Sequence, residues 1–339
     1  MAVKRINLAL QGGGAHGAFT WGVLDRLLEE SELEVAAISG TSAGALNGAA
    51  LKAGWVADGR DGARANLDWL WQQMGAVQDL RMPAWMAGNL ALAPGWNAAM
   101  DATWPAAMAE GVSRLVSPYA YGPFYVNPLR RVVDEFAYDK VCANDAPRLS
   151  VGATNVRTGK IRIFDGDQIG ADALLASACL PTLFQAVEID GEAYWDGGFT
   201  GNPALFPLFD QDLPADIVII NINPLLRDDI PHSPQDIQNR INEISFNSSL
   251  LRELRAIHFV QRLLATGAVP EGAMKHVLVH MIADDTLMAD LSAATKVSPN
   301  PFLLDRLKSA GRVAADRFLQ AHWDDLGQRG TTDLENMFA

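Results

Sequence analysis

The chain has 339 residues, 49% of them apolar and 20% charged, a balance that excludes a disordered polymer and fits a globular protein with a large core. A formal net charge of -13 excludes the basic footprint of a nucleic-acid binder and electrostatic capture by anionic lipid, so any peripheral membrane or droplet contact has to be apolar. Cys142 and Cys179 lie outside any C-x-x-C pattern, no uninterrupted apolar run reaches spanning length, and the apolar stretch after Lys4 and Arg5 is too short for a signal peptide, which leads us to expect a cytoplasmic protein.

Residues 6–10 read as a strand running into Gly12-Gly13-Gly14-Ala15-His16-Gly17, and residues 18–30 as a helix with Phe19, Val23, Leu24, Leu27 and Leu28 on one stripe. Consecutive glycines let backbone N–H groups face an anion unshielded. The spacing of Gly12, Gly14 and Gly17 also satisfies a dinucleotide fingerprint, but the second strand ends in Ser39-Gly40 and offers no acid for a ribose, since Glu32 and Glu34 precede it. An oxyanion hole and a plain tight turn are the other readings.

Residues 35–38 read as the second strand and residues 45–51 as a helix of small residues. Between them lies Gly40-Thr41-Ser42-Ala43-Gly44, a G-x-S-x-G in the strand–turn–helix context of a nucleophile elbow. Residues 55–74 follow as a helix with Leu67, Leu70 and Trp71 inward. Residues 82–100 carry no charge and are broken by Pro83, Gly88, Pro94 and Gly95. With Trp85 and Trp96 they read either as a cap over the site, within an insertion at about 76–125, or as a buried connection or dimer contact.

Residues 128–136 read as a helix capped by Asn127, residues 149–154 and 160–164 as strands, and residues 171–178 as a short helix. A hairpin of residues 187–190 and 192–195 delivers Asp196-Gly197-Gly198. Residues 216–222 form a continuous apolar run suited to a parallel sheet buried on both faces. Residues 236–264 form a long helix with Leu250, Leu254, Ile257, Val260 and Leu264 on one stripe and Arg252, Arg255 and Arg262 off it. A strand at 277–282 and a helix at 302–323 complete the chain.

Four of these stretches, in this order, resemble the patatin-like phospholipase family over roughly residues 5–223. They are Gly12 to Gly17, for a G-G-G-x-[KR]-G turn with His16 where Lys or Arg is usual; Gly40 to Gly44; Ala176-Ser177-Ala178-Cys179-Leu180-Pro181, for A-S-x-x-x-P; and Asp196-Gly197-Gly198, for D-G-[GA]. The resemblance implies a three-layer α/β/α domain with a mainly parallel sheet. It implies lipid acyl hydrolysis by a dyad of Ser42 and Asp196, oxyanion donors at Gly12, Gly13 and Gly14, support from His16, Gly17, Gly40, Gly44, Pro181, Gly197 and Gly198, and neither metal nor cofactor in the chemistry.

The residues themselves allow the same mechanism. Ser42 needs a base, and a carboxylate serves only if desolvation raises its pKa, to which Tyr194, Trp195 and Phe199 would contribute. His258, His276 and His280 follow Asp196 in the order of a hydrolase triad, but they sit in or beside a helix and a strand rather than on a loop. We therefore expect a serine acyl hydrolase acting on lipid or lipid-like esters. The alternatives are a soluble carboxylesterase or thioesterase, or a catalytically silent lipid- or nucleotide-binding module. Residues 1–225 are expected to form the catalytic domain and residues 226–339 a mostly helical extension packed on it. The oligomeric state is left open.

Overall fold

The computed structural model describes residues 3–77 and 117–338, apart from positions 146, 228, 271 and 292. The expected cap at residues 82–100 lies outside the described residues. The described strands are β1 (Lys4–Leu10), β2 (Leu33–Thr41), β3 (Arg148–Asn155), β4 (Ile161–Asp165), β5 (Val187–Ile189), β6 (Glu192–Asp196), β7 (Asp216–Ile220) and β8 (Leu278–Ile282). They form one sheet in the order β5-β6-β3-β2-β1-β7-β8, with β4 added on β3. β3, β2, β1, β7 and β8 run parallel, whereas β4, β5 and β6 join antiparallel.

The chain builds β2 and β3 outward from one edge of β1 and later returns to place β7 on the other. β1 therefore sits at the point where the strand order reverses, and the crevice beyond its carboxyl end is where such sheets place ligands. The register of β3 matters as much. Gly152 pairs with Thr41 of β2 on one edge and with Ile163 of β4 on the other. At the next residue Ala153 still pairs with β4, through Arg162, but its other edge now meets Asp196 of β6. β6 thus occupies the lane that β2 vacates after Thr41, and the end of β6 is brought beside the end of β2.

The main helices are α1 (Gly17–Leu27), α2 (Ala43–Ala76), α3 (Ala171–Ser177), α4 (Pro234–Ala265) and α5 (Pro301–His322). Alternation along the central strands sends their side chains to two separate cores. Leu8, Leu10, Val218 and Ile220 pack with α1, α2 and α5, while Ala9, Ile217 and Ile219 pack with Leu250, Leu254 and Ile257 of α4. This makes three layers, and it explains why β7 reads as an uninterrupted apolar run. Arg252, Arg255 and Arg262 lie on the exposed side of α4, as the stripe pattern implies.

Helix ends follow local chemistry. Ser233 Oγ accepts the Asp236 N–H at 3.1 Å and Asn300 Oδ1 accepts the Leu303 N–H at 2.8 Å, each just ahead of a proline that opens a helix. α5 lies against α1 with backbones touching: a Cβ on Gly22 would stand 1.9 Å from the Lys308 carbonyl oxygen, and one on Gly311 would stand 2.1 Å from that of Phe19. No described helix is long and apolar enough to cross a membrane.

Three sequence expectations shift. β2 runs on through Ser39, Gly40 and Thr41, so the turn is confined to Ser42. The helices expected at 45–51 and 55–74 are the arms of a hairpin that breaks at Asp58 and Gly59 rather than near residue 53. Gly59 takes φ +57°, and Gly54 and Gly62 let the arms close, with Asn66 Nδ2 donating to the Ala50 carbonyl at 2.7 Å. The helix expected over 128–136 is α-helical only at Arg130–Val133, because Glu135 and Phe136 then bond to carbonyls three residues back and tighten the chain.

Candidate active site

Ser42 follows β2 and caps α2 with φ 54° and ψ -123°, a conformation rare for a residue bearing a Cβ. Such a kink turns a side chain off the sheet edge, and close packing holds it. A Cβ on Gly40 would lie 2.6 Å from the Gly44 carbonyl oxygen, and one on Gly44 would lie 2.1 Å from that of Leu10. Ser177, on α3, fastens the elbow from the side: its Oγ accepts the Ser42 N–H at 2.9 Å and donates to the Gly152 carbonyl at 2.6 Å. The serine of the A-S-x-x-x-P stretch is therefore a strut. Leu180 lines the pocket beside Ser42, while Pro181 does not.

Asp196 is 2% exposed, lines the same pocket as Ser42, and its carboxylate accepts the Gly198 N–H at 2.7 Å. Burial raises its pKa to about 7, and the Gly198 N–H and the Ser42 hydroxyl pull the other way without offsetting it. Gly197 sits against β3, where a Cβ would lie 2.2 Å from the Gly152 carbonyl oxygen. Among the aromatics expected to desolvate Asp196, Phe199 is 41% exposed and rests on Phe246 of α4 with ring centroids 5.3 Å apart. Phe246 is the aromatic residue that lines the pocket, alongside the apolar Leu180 and Val297.

The glycine turn closes the pocket from the end of β1. Its geometry narrows the expected donor set. The Gly12 N–H is already given to Asn202 Oδ1 at 2.7 Å, so Gly12 is a fixed post rather than a free donor. Among the described residues no acceptor takes the Gly13 or Gly14 N–H. Behind the turn lies a buried amide network. Gln11 Oε1 accepts the backbone N–H groups of Ile222 and Asn223 at 2.8 and 3.1 Å, and its Nε2 donates to the Asn202 carbonyl at 3.2 Å and to Asn247 Oδ1 at 3.3 Å. Asn223 Nδ2 holds the Gly12 carbonyl at 2.9 Å. Every amide has partners, which is what a buried polar cluster needs in order to be rigid.

His16 is 1% exposed, its Nε2 lies 2.7 Å from Thr295 Oγ1, and burial together with the charge of Lys296 holds its pKa well below the ordinary value. It is neutral at pH 7 and does not line the pocket. From sequence alone His16→Arg restores the usual motif residue and should be tolerated. The structure reverses that expectation, because an arginine here would bury a second cation beside Lys296. A loss of about 3 kcal/mol is expected, read as a lower melting temperature. An unchanged melting temperature would show that this position can open to water.

The histidines that could have completed a triad are elsewhere. His280 is fully buried with Nε2 3.0 Å from Asp216 Oδ1 and Nδ1 3.1 Å from Thr331 Oγ1, His276 is exposed, and His258 faces Phe338 with ring centroids 6.4 Å apart. None of the three lines the pocket that holds Ser42 and Asp196. Sequence reasoning missed Asn202, Asn223, Phe246 and Lys296. Asn202 follows Asp196 closely enough to have been noticed, whereas the others belong to segments without a motif.

A family model described as patatin-like phospholipase matches residues 8–209, which span the glycine turn, the elbow and the D-G-G turn. No curated protein matches the chain. Among solved structures, VipD from Legionella pneumophila is similar at 14% identity and a TM-score of 0.44, over 94% of this chain and 67% of that one. The family match covers more than half of the residues and runs through the glycine turn, the elbow and the D-G-G turn that meet at the pocket: the chain belongs to the patatin-like phospholipase family.

Proposed function

We propose that this protein hydrolyses carboxylic esters of lipids, in a phospholipase A- or esterase-type reaction, with Ser42 as nucleophile and Asp196 as its base. Family membership supports lipid acyl hydrolysis in general. The observation that carries the finer reading is that Ser42, on its strained turn, shares one small pocket with a desolvated Asp196 carboxylate whose pKa the serine hydroxyl lowers. An ordinary aspartate is too weak a base to help a serine, and one raised to about 7 is matched to neutral pH.

The reaction proceeds in two halves. Ser42 Oγ attacks the ester carbonyl carbon as its proton passes to Asp196, and the carbonyl electron pair moves onto oxygen to give a tetrahedral oxyanion. The N–H groups of Gly13 and Gly14, which no acceptor among the described residues takes, meet that charge, and the start of α2 adds its dipole. Collapse expels the alcohol, which takes the proton back from Asp196, and water then releases the acyl group by the same route. The cleft around Ser42 has a volume of about 50 Å³, room for the reacting carbonyl rather than for a whole acyl chain. We assign the nucleophile, the base and the glycine turn to residues 1–225 and treat 226–339 as an extension packed on them. The lipid is met by peripheral contact. A fluorophosphonate should add to Ser42, identified by mass spectrometry of the labelled peptide. Folded protein that stays unlabelled under excess reagent overturns the reading.

A further inference from the structure

The glycine turn of this chain has a gap in its charge. The oxyanion turn normally carries Lys or Arg two residues after the third glycine, and here that place holds a buried, neutral histidine. The pocket is not without a cation, however. Lys296, from the 3-10 turn Ala293–Lys296, lines it together with Ser42, Gly13, Gly14 and Asp196, and among the described lining residues it is the sole cationic side chain. It lies well beyond the segment matched by the family, which ends at residue 209.

We propose that Lys296 supplies the positive charge of the oxyanion site that the glycine turn itself lacks. This rests on Ser42 being the nucleophile, and it adds a residue outside the family motifs.

Three contacts place the lysine there. The turn and the 3-10 segment touch backbone to backbone: a Cβ on Gly14, which takes φ +58°, would stand 2.1 Å from the Lys296 carbonyl oxygen. His16 docks the same segment through Thr295, at 2.7 Å. The motif position that lost its cation thus holds the segment that brings one. Finally, Lys296 Nζ donates to Asn223 Oδ1 at 2.8 Å, and Asn223 Nδ2 donates to the Gly12 carbonyl at 2.9 Å, so a single amide links the ammonium to the turn. An ammonium has three N–H donors, and this bond uses one of them.

The surrounding charges keep the lysine cationic at neutral pH and neutral in base. Burial lowers its pKa to about 8; Glu243 of α4 acts to raise it, and Arg227, from the loop after β7, to lower it. Glu243 is itself held by Arg227 Nη2 at 2.6 Å and Arg240 Nη1 at 3.2 Å. His16 faces Lys296 from the glycine turn as a neutral group, and Asp196 is the acidic residue of the same pocket. An ammonium in a half-buried site stabilises a developing oxyanion without moving a proton.

The test is the hydrolysis of p-nitrophenyl butyrate, followed from about pH 6 to about pH 10 in wild type, Lys296→Met and Lys296→Arg. Wild-type kcat should rise as Asp196 ionises and fall as Lys296 loses its proton, near pH 8. Lys296→Met should lower kcat by ~10²-fold, change KM far less, and abolish the alkaline fall. Lys296→Arg should keep most of kcat and move the fall to higher pH, because a guanidinium stays protonated. The proposal is overturned by wild-type kcat that does not fall above pH 8, by Lys296→Met with wild-type kcat, or by Lys296→Arg with the fall unmoved. If Lys296→Met does not fold, the other two profiles decide. Failure of the underlying reading looks different: Ser42→Ala would then hydrolyse the ester as well as wild type.

Discussion

Ser42→Ala is expected to lower kcat for a soluble ester by at least ~10³-fold while circular dichroism and melting temperature stay close to wild type. The loss follows from chemistry, since no other hydroxyl stands on the strained turn between β2 and α2. The fold survives for a structural reason. The bonds that hold the elbow, from the Ser42 N–H to Ser177 and from the Leu46 N–H to the Ser42 carbonyl, use the backbone of residue 42 and not its side chain. Alanine keeps the Cβ, so the cost of φ 54° is unchanged. A variant that retains a tenth or more of wild-type turnover would remove Ser42 from the mechanism.

Asp196→Asn is expected to be nearly as damaging, because base and nucleophile act as a unit, and it separates activity from stability. Asparagine is isosteric and its Oδ1 can still accept the Gly198 N–H, but it cannot take a proton from Ser42. Wild-type kcat/KM should rise with pH through about 7, the range in which burial places the ionisation of Asp196, and the variant should show no such rise. Stability runs the other way. The folded-state pKa lies above the ordinary 3.8, so ionised Asp196 is disfavoured in the fold, and stability is lost as pH climbs from about 4 to about 7 and then levels off. Measured against wild type, the melting temperature of Asp196→Asn should therefore gain more at about pH 8 than at about pH 5. Turnover within tenfold of wild type would instead mean that another group takes the proton, and His258, His276 and His280 would be the first to substitute.

Much of this protein is legible in its sequence because the relevant signals are local. A strand that gives way to consecutive glycines, a G-x-S-x-G between strand and helix, and a hairpin that ends in D-G-G each need only a few neighbouring residues to declare themselves, and the structure puts all three turns on the rim of one pocket. The strand and helix pattern was likewise readable, since apolar alternation and apolar stripes are backbone periodicities. Boundaries were less so. β2 carries on through Ser39, Gly40 and Thr41 because pairing with β1 and β3 overrides the poor strand propensity of Ser and Gly. What only the tertiary structure decided is which distant groups share the site and in what state of charge. Asp196 stands beside Ser42 because β6 takes the lane along β3 that β2 leaves, a matter of register between segments over a hundred residues apart. Gly12 lost its free N–H to Asn202, His16 became a buried anchor, and Lys296 entered the pocket from a segment with no motif. Sequence spacing carries no information on such contacts, because burial and charge are properties of the space around a side chain, and that space is built by elements from the whole length of the chain.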